Sequence, residues 1–339
     1  LQPGTHILTG SERMKKRPIG VLVAALRQLG AKIDYLEEEG FPPLRIEHRL
    51  GFGTQNRIRI PASTSSQYIS ALLLIAPKLS NGIQLQLTGK VVSKPYIQMT
   101  LAVMAHFGIE YEWDDDTINI APQEYRPRAY YVEADWSAAS YFYAMAAMAE
   151  EVDLQLNGLF EDSVQGDAVL VSLIEKFGIS TTFNSKGVRL KKDKRVVPFF
   201  EYDFVDCPDL AQTFFVLCGG LGISGLFTGL DTLKIKETDR IAAMQTELAK
   251  VQVWLSKLPP KFSKKSGTEY YAMEGKANLS ETPVFATYED HRQAMAMASL
   301  VFSGDLLIEN PEVVQKSYPD FWRDLVHCGV DIEEGEKDV

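Results

Sequence analysis

Several short stretches of this 339-residue chain gather side chains able to bind anions or move protons. Arg13, Lys15, Lys16 and Arg17 crowd ahead of Pro18, and a Pro in a first helical turn leaves backbone N–H groups available to an anion. Ser65, Ser66 and Gln67 stand at one expected helix start, and Ser93, Lys94, Pro95 and Tyr96 at another. Asp206-Cys207-Pro208-Asp209 brings a carboxylate to a third. Lys236-Glu237-Thr238-Asp239-Arg240 is a dense run of both signs, and Asp290-His291-Arg292 and Lys316 follow at corresponding places. Taken singly, each has an ordinary structural explanation. Ser and Asp cap helices, basic loops are solvated, mixed runs form salt-bridged surface turns, and Tyr96 is equally at home in a core. Together they place basic, hydroxyl and carboxylate groups on equivalent loops. If those loops face a shared cleft, the set suits two anionic substrates and a proton transfer.

The elements that must position these loops repeat. Five segments share a strand ending at Thr9-Gly10, Thr88-Gly89, Asn157-Gly158, Thr228-Gly229 or Glu309-Asn310, then a polar loop and an amphipathic helix. Gly30, Gly108, Gly178 and Gly329 close four of the helices, as expected for a left-handed C-cap, and the fourth copy stops near Val251-Gln252 without one. Between them lie four segments that run from a short strand into an Ala-rich helix: Ile58–Ala76, Tyr131–Ala147, Phe204–Leu217 and Phe285–Val301. The super-repeat is about 70–80 residues of alternating β and α, which specifies a layered α/β fold by internal duplication. Nine helical half-units result, three before a hinge near Glu133–Trp136 and six after it. Domains are therefore expected at residues 1–134 and 135–339.

Composition narrows the classes. A chain this long is expected to hold two domains, and 45% hydrophobic with 24% charged residues excludes disorder and fibrous folds. The longest apolar run, Phe214–Phe227, is broken by Gly219, Gly220, Ser224 and Gly225 and falls short of the roughly 20 residues of a membrane span. Net charge of −10 disfavours nonspecific nucleic-acid binding but leaves room for small anions in a locally basic cleft. Cys207, Cys218 and Cys328 have neither disulfide nor zinc spacing, which points to a reduced, cytoplasmic chain. Glycine-rich nucleotide loops are missing after the strands.

The runs Arg13-Met14-Lys15-Lys16-Arg17-Pro18-Ile19-Gly20, Ser65-Ser66-Gln67, Val92-Ser93-Lys94-Pro95-Tyr96, Gln165-Gly166-Asp167, Lys236-Glu237-Thr238-Asp239-Arg240, Asp290-His291-Arg292 and Lys316 resemble, in order and as far as about Ile332, the 5-enolpyruvylshikimate-3-phosphate synthase family (3-phosphoshikimate 1-carboxyvinyltransferases). The resemblance implies a two-domain enolpyruvyl transferase fold of repeated βαββαβ units that closes around its substrates. It implies transfer of the enolpyruvyl group of phosphoenolpyruvate to the 5-hydroxyl of shikimate 3-phosphate, with release of phosphate and with no metal or organic cofactor. By the same resemblance Arg17, Arg240, Arg292 and Lys316 bind phosphoenolpyruvate, while Ser65, Ser66, Gln67, Ser93, Tyr96, Asp209, Thr232 and Lys236 bind shikimate 3-phosphate. Asp209 takes the hydroxyl proton, Glu237 serves the methylene carbon, Lys236 joins them in catalysis, and His291 orients its neighbours. The expected partners are these two small molecules, with no nucleic acid or membrane, and the expected state is a monomer.

Departures shape the expectation. The family carries about a hundred residues ahead of the point matching Leu1, with a Lys-Ser…Arg element and an Asn-x-Gly-Thr loop, and neither motif occurs here. The chain is therefore expected to be N-terminally truncated, with a first domain that is incomplete, poorly packed or completed by another chain, and with impaired catalysis. Thr232 stands where the family usually has Asn. Leu255–Lys276, rich in Lys, Ser and Pro, is expected to be a mobile hairpin or loop. Two alternatives remain: a noncatalytic, truncated anion-binding remnant, and a related transferase acting on a UDP-sugar. The latter commonly uses a loop Cys as acid, whereas Cys207 is read as structural.

Overall fold

The repeat read from turn chemistry is the repeat of the computed structural model, which describes residues 4–47, 51–193 and 196–335. The expected outer limits, Leu1 and Val339, lie outside the described residues. The chain divides into two compact units: Leu1–Val132 with Val164–Gly166 and Val205–Cys207, and Glu133–Ser163 with Asp167–Phe204 and Pro208–Val339.

In unit 1, β1 (Thr5–Leu8), a short helical turn α1 (Glu12–Lys15), α2 (Gly20–Gln28), β2 (Lys32–Tyr35) and β3 (Leu44–Glu47) make a three-stranded antiparallel sheet ordered β1-β3-β2. Next come β4 (Arg57–Pro61), α3 (Ser66–Ile75), β5 (Ile83–Thr88), α4 (Lys94–His106) and the hairpin β6 (Glu112–Asp114) and β7 (Thr117–Ile120). Their sheet runs β4-β5-β7-β6, with β4 and β5 parallel and the hairpin antiparallel. A parallel pair needs a crossover, and α3 supplies it.

Unit 2 opens with α5 (Trp136–Met148), β8 (Asp153–Asn157), α6 (Leu170–Ile174), β9 (Ile179–Asn184) and β10 (Gly187–Lys192), giving a sheet ordered β8-β10-β9. Then β11 (Phe199–Asp203), α7 (Ala211–Leu221), β12 (Ser224–Thr228), α8 (Arg240–Ala249), β13 (Val253–Lys257) and β14 (Tyr271–Gly275) repeat the unit 1 topology as β11-β12-β14-β13. The last elements are the parallel pair β15 (Val284–Phe285) and β16 (Leu307–Ile308), with α9 (His291–Ala298) between them and α10 (Phe321–His327) after. In the two complete copies the order is βαβαββ, with the hairpin at the end of each repeat rather than in its middle.

Local signals act as expected at most element ends. Gly178 closes its helix at φ +78°, and in the copy without a Gly, Gln252 takes the left-handed conformation at φ +62°. Two expectations need correction. The strand expected at the start of Tyr131–Ala147 does not form; this stretch is tied to the neighbouring repeat by bonds that include Ala134 N–H to the Gly158 carbonyl at 2.8 Å and Ser163 Oγ to Glu133 Oε1 at 2.9 Å, while Tyr131 and Val132 are exposed. Pro18 does not open a helix, because α1 closes the basic loop and α2 begins two residues beyond it, after Ile19. Of the hairpin or loop expected at Leu255–Lys276 the hairpin forms, from most of β13, β14 and their connection.

The expectation of a poorly packed first domain is also corrected. Leu72 and Leu73 of α3, Leu101 and Met104 of α4, and Ile58, Leu85 and Ile118 of the sheet share one buried core in unit 1. By contrast, every residue of β1 is exposed, with Ile7 at 64%. The centre of unit 2 is α7, apolar all round and buried from Ala211 to Gly220, as such a helix must be. It packs beside α5 through Ser140 Oγ and Thr213 Oγ1 at 2.8 Å, and Gly220 has no room for a side chain against Met148.

Candidate active site

Most of the expected site residues lie past the carboxyl end of a parallel-paired strand, where open α/β sheets place their ligand crevices. In unit 1 the loops after β4 and β5 carry Ser65–Gln67 and Ser93–Tyr96. They are neighbours, since Ala62 N–H donates to Thr88 O at 2.8 Å and Val92 N–H to Ala62 O at 3.2 Å. Ser65 is the N-cap of α3, its Oγ accepting from Gln67 N at 3.3 Å. Ser93 is buried and left-handed, with φ +55°, at the N-cap position of α4, where its side chain makes no capping bond. The motif residue Gly166 lies against this turn: a Cβ there would collide with Pro95. Asp167 is buried in unit 2 and accepts from the Ser137 hydroxyl. Arg17 acts on Tyr68, whose phenol is raised by burial and lowered by the Arg17 charge.

In unit 2 the loops after β11, β12 and β15 converge on one guanidinium. Arg240 is the first residue of α8 and only 2% exposed. Its Nε donates to Asp290 Oδ2 at 2.6 Å, NH1 to Asp209 Oδ1 at 3.1 Å and NH2 to Glu237 Oε2 at 2.7 Å. Arg292 NH2 donates to the other Asp209 oxygen at 2.9 Å, and Lys236 Nζ stands 4.0 Å from Asp209 Oδ1. Lys316 closes the turn after β16 and donates to the Glu289 carbonyl at 2.7 Å. Thr232, in the turn Asp231–Ile235, has a buried hydroxyl without a partner among the described residues.

Burial here is ordered by charge. Burial raises the Asp209 carboxyl, but the charges of Arg292, Lys236 and Arg240 together outweigh it and hold it well below the usual carboxylate range. Burial likewise works against the Arg240 charge, and Asp290 and Asp209 more than restore it. His291 is lowered by burial and by the adjacent Arg292 charge, which favours a neutral ring near neutral pH.

The ordinary explanations of two motifs fail. Asp209 does not cap α7; it sits in the turn Pro208–Leu210, and its carboxylate faces the arginines. The 236–240 run is no surface turn: Asp239 caps α8 through Ile241 N and Ala242 N, both at 3.1 Å, and Arg240 points inward. Other residues of the cluster carried no sequence signal. Tyr141 OH lies 3.5 Å from Arg292 NH1, and burial pushes the phenol up to about 12. Buried Glu247 accepts from Ala286 N at 3.0 Å and Tyr288 OH at 2.7 Å, holding the loop in which Tyr288 and Glu289 are both left-handed. Asp290 caps α9 through Arg292 N at 2.9 Å. Behind it, the buried amides of Gln212 and Gln293 bond at 3.0 Å. Among the described residues no group of three or more His, Cys, Asp or Glu is placed to hold a metal ion, and no helix is long and apolar enough to cross a membrane.

A family model described as EPSP synthase (3-phosphoshikimate 1-carboxyvinyltransferase) matches residues 1–325. A 3-phosphoshikimate 1-carboxyvinyltransferase of Bacteroides fragilis is 47% identical over 338 residues, covering 99% of this chain and 80% of the relative. One from Cellvibrio japonicus is 34% identical over 323 residues, covering 94% and 73%. The solved EPSP synthase of Acinetobacter baumannii shares the fold, with a TM-score of 0.71 at 21% identity over 99% of this chain and 76% of that one. The chain spans about three-quarters to four-fifths of the length of the relatives it matches. The family model and the two curated relatives show that this chain belongs to the EPSP synthase (3-phosphoshikimate 1-carboxyvinyltransferase) family.

Proposed function

We propose that the chain transfers the enolpyruvyl group of phosphoenolpyruvate to the 5-hydroxyl of shikimate 3-phosphate and releases inorganic phosphate. The observation that carries the reading is the arrangement of two arginines, a lysine and two reachable carboxylates around Asp209 and Arg240. Arg240 and Arg292 supply forked N–H donors that match carboxylate and phosphate oxygens, and Lys316 and Arg17 add cations. Ser65, Ser66, Gln67, Ser93 and Tyr96 of unit 1 serve the shikimate ring and phosphate, with Thr232 and Lys236 of unit 2.

The chemistry requires a base and an acid on opposite partners. Asp209 accepts the proton of the attacking hydroxyl as its oxygen bonds to C2 of phosphoenolpyruvate. Glu237 delivers a proton to the methylene carbon and makes C2 electrophilic. Collapse of the tetrahedral adduct breaks the C2–O bond to phosphate, and Glu237 takes a proton back from the methyl group as the double bond is restored. Lys236, beside Asp209, offsets charge on both sides of the transfer. Positioned acid–base groups of this kind are each worth about 10²–10⁴ in rate. Unit 1 is read as the shikimate 3-phosphate side and unit 2 as the phosphoenolpyruvate side. A cytoplasmic location belongs to the same reading and rests on cysteine spacing that suits neither a disulfide nor a zinc site.

Phosphate release from phosphoenolpyruvate, measured with and without shikimate 3-phosphate, tests the reading. Release that requires shikimate 3-phosphate is expected. Release that is independent of it, or that responds to a UDP-sugar instead, would replace the proposed acceptor.

A further inference from the structure

Three carboxylates surround Arg240, and they do not hold it alike. Asp290 is 0% exposed and uses both oxygens, on Nε at 2.6 Å and NH2 at 3.4 Å. The oxygen facing NH2 also caps α9 by accepting from Arg292 N at 2.9 Å, so the carboxylate is fixed by a helix end. Asp209 and Glu237 are different. Their side chains are 16% and 20% exposed, they sit in a short turn and an irregular loop, and they meet NH1 at 3.1 Å and NH2 at 2.7 Å. Asp209 also takes Arg292 NH2 at 2.9 Å.

We propose that in the resting enzyme Asp209 and Glu237 occupy the guanidinium edges that phosphoenolpyruvate must take, that the incoming anion displaces them, and that Asp290 stays behind as the positioning residue that keeps Arg240 aimed at the site. The inference rests on the functional reading above. Asp290 gives Arg240 its buried counter-charge, but the guanidinium edges that face the site still need hydrogen-bond acceptors when no ligand is bound, and these two carboxylates supply them from within the protein. Displacement gives up two anionic partners of Arg240 and one of Arg292 for the incoming anion, so the internal carboxylates oppose anion binding directly. It also delivers the base in usable form. A carboxylate held by two guanidiniums is a poor proton acceptor, and Asp209 is released from them only when the anion has arrived. The base is therefore switched on by occupancy of the neighbouring subsite.

The test is the affinity of phosphoenolpyruvate alone, by titration calorimetry, for the parent chain and for Asp209→Asn, Glu237→Gln and Asp239→Asn. Asp239 lies in the same loop, but its carboxylate caps α8 through backbone N–H groups, a task Asn also performs. Loss of a charge-assisted competitor is expected to tighten phosphoenolpyruvate about tenfold or more in Asp209→Asn and Glu237→Gln, although both lose turnover. Asp239→Asn is expected to stay within about twofold, and the difference is expected to survive about 0.5 M salt, which screens a merely long-range charge effect. Unchanged or weaker binding in both Asp209→Asn and Glu237→Gln, or a gain equal to that of Asp239→Asn, overturns the inference while leaving the functional reading in place. No phosphoenolpyruvate binding by the parent or any variant overturns both. For Asp290, steady-state turnover of Asp290→Asn is expected to raise KM for phosphoenolpyruvate about tenfold and to leave KM for shikimate 3-phosphate within about twofold. Equal movement of both would reduce Asp290 to a structural role.

Discussion

The two units carry their site residues on equivalent loops, past strands of parallel pairs, yet hold them ready by opposite means. In unit 1 the groups are largely neutral, and the loops after β4 and β5 are built by backbone bonds and by Ser65 capping α3. In unit 2 they are ions, buried and bound to one another around Arg240. Desolvation explains the contrast. A half-exposed hydroxyl keeps its water at little cost, whereas a guanidinium withdrawn from water needs compensating charge at all times.

The largest effect expected from this difference is in Arg240→Met. It leaves Asp209, Glu237 and Asp290 facing one another, and urea unfolding is expected to show a loss of about 3–5 kcal/mol together with loss of turnover. A loss below about 1 kcal/mol would mean that the carboxylates relax to solvent, and the contrast between the units would dissolve.

Asp209→Asn is expected next, at about 1–3 kcal/mol of stability near neutral pH. Its pH dependence has a definite sign. The folded carboxyl is held below its unfolded value, so its contribution is present above about pH 4 and fades only as pH falls through the lower folded pKa. Parent and variant melting curves should therefore differ fully at pH 5–7 and converge only in strong acid. Convergence between pH 7 and 5 would locate the stabilising titration elsewhere.

Smaller effects separate structure from binding in unit 1. Ser65→Ala removes a cap and is expected to lose about 1 kcal/mol in stability. Ser66→Ala, one residue inside the helix, is expected to leave the melting temperature in place and to weaken shikimate 3-phosphate about 3–10-fold, the loss of a neutral hydrogen bond. An equal stability loss in both would deny Ser66 its binding role. The smallest effect is expected in Glu269→Gln. Lys234 and Lys257 hold this carboxyl down to about 2, but it is a third exposed, and solvent screening limits its worth to less than about 1 kcal/mol by chemical denaturation.

Turn and cap chemistry carried much of the fold in the sequence. The strand ends at Thr88-Gly89, Asn157-Gly158 and Thr228-Gly229, the stops at Gly30, Gly108 and Gly178, and the helix starts at Ser65 and Ser93 depend on a few neighbouring residues whose backbone preferences are local. The residues grouped by family resemblance were legible in the same way, as short runs. What those runs could not convey was how their members pair. Arg240 meets Asp209 across 31 residues and Asp290 across 50, and Arg292 meets Asp209 across 83. These distances in sequence are closed only when β11, β12 and β15 bring their carboxyl ends together. Tyr141, 151 residues from Arg292, and Glu247, pinning the loop before Asp290, belong to the site for the same reason. The strand missing before α5 is the converse case: residues with adequate local propensity remain outside the sheet because pairing, and not propensity, makes a strand. The sequence by itself determined where elements begin and end and which chemical groups stand on their loops, because those depend on covalent neighbours. The tertiary structure decided which carboxylate meets which arginine and which charge is buried, because burial and ion pairing exist only between parts of the chain that folding brings into contact.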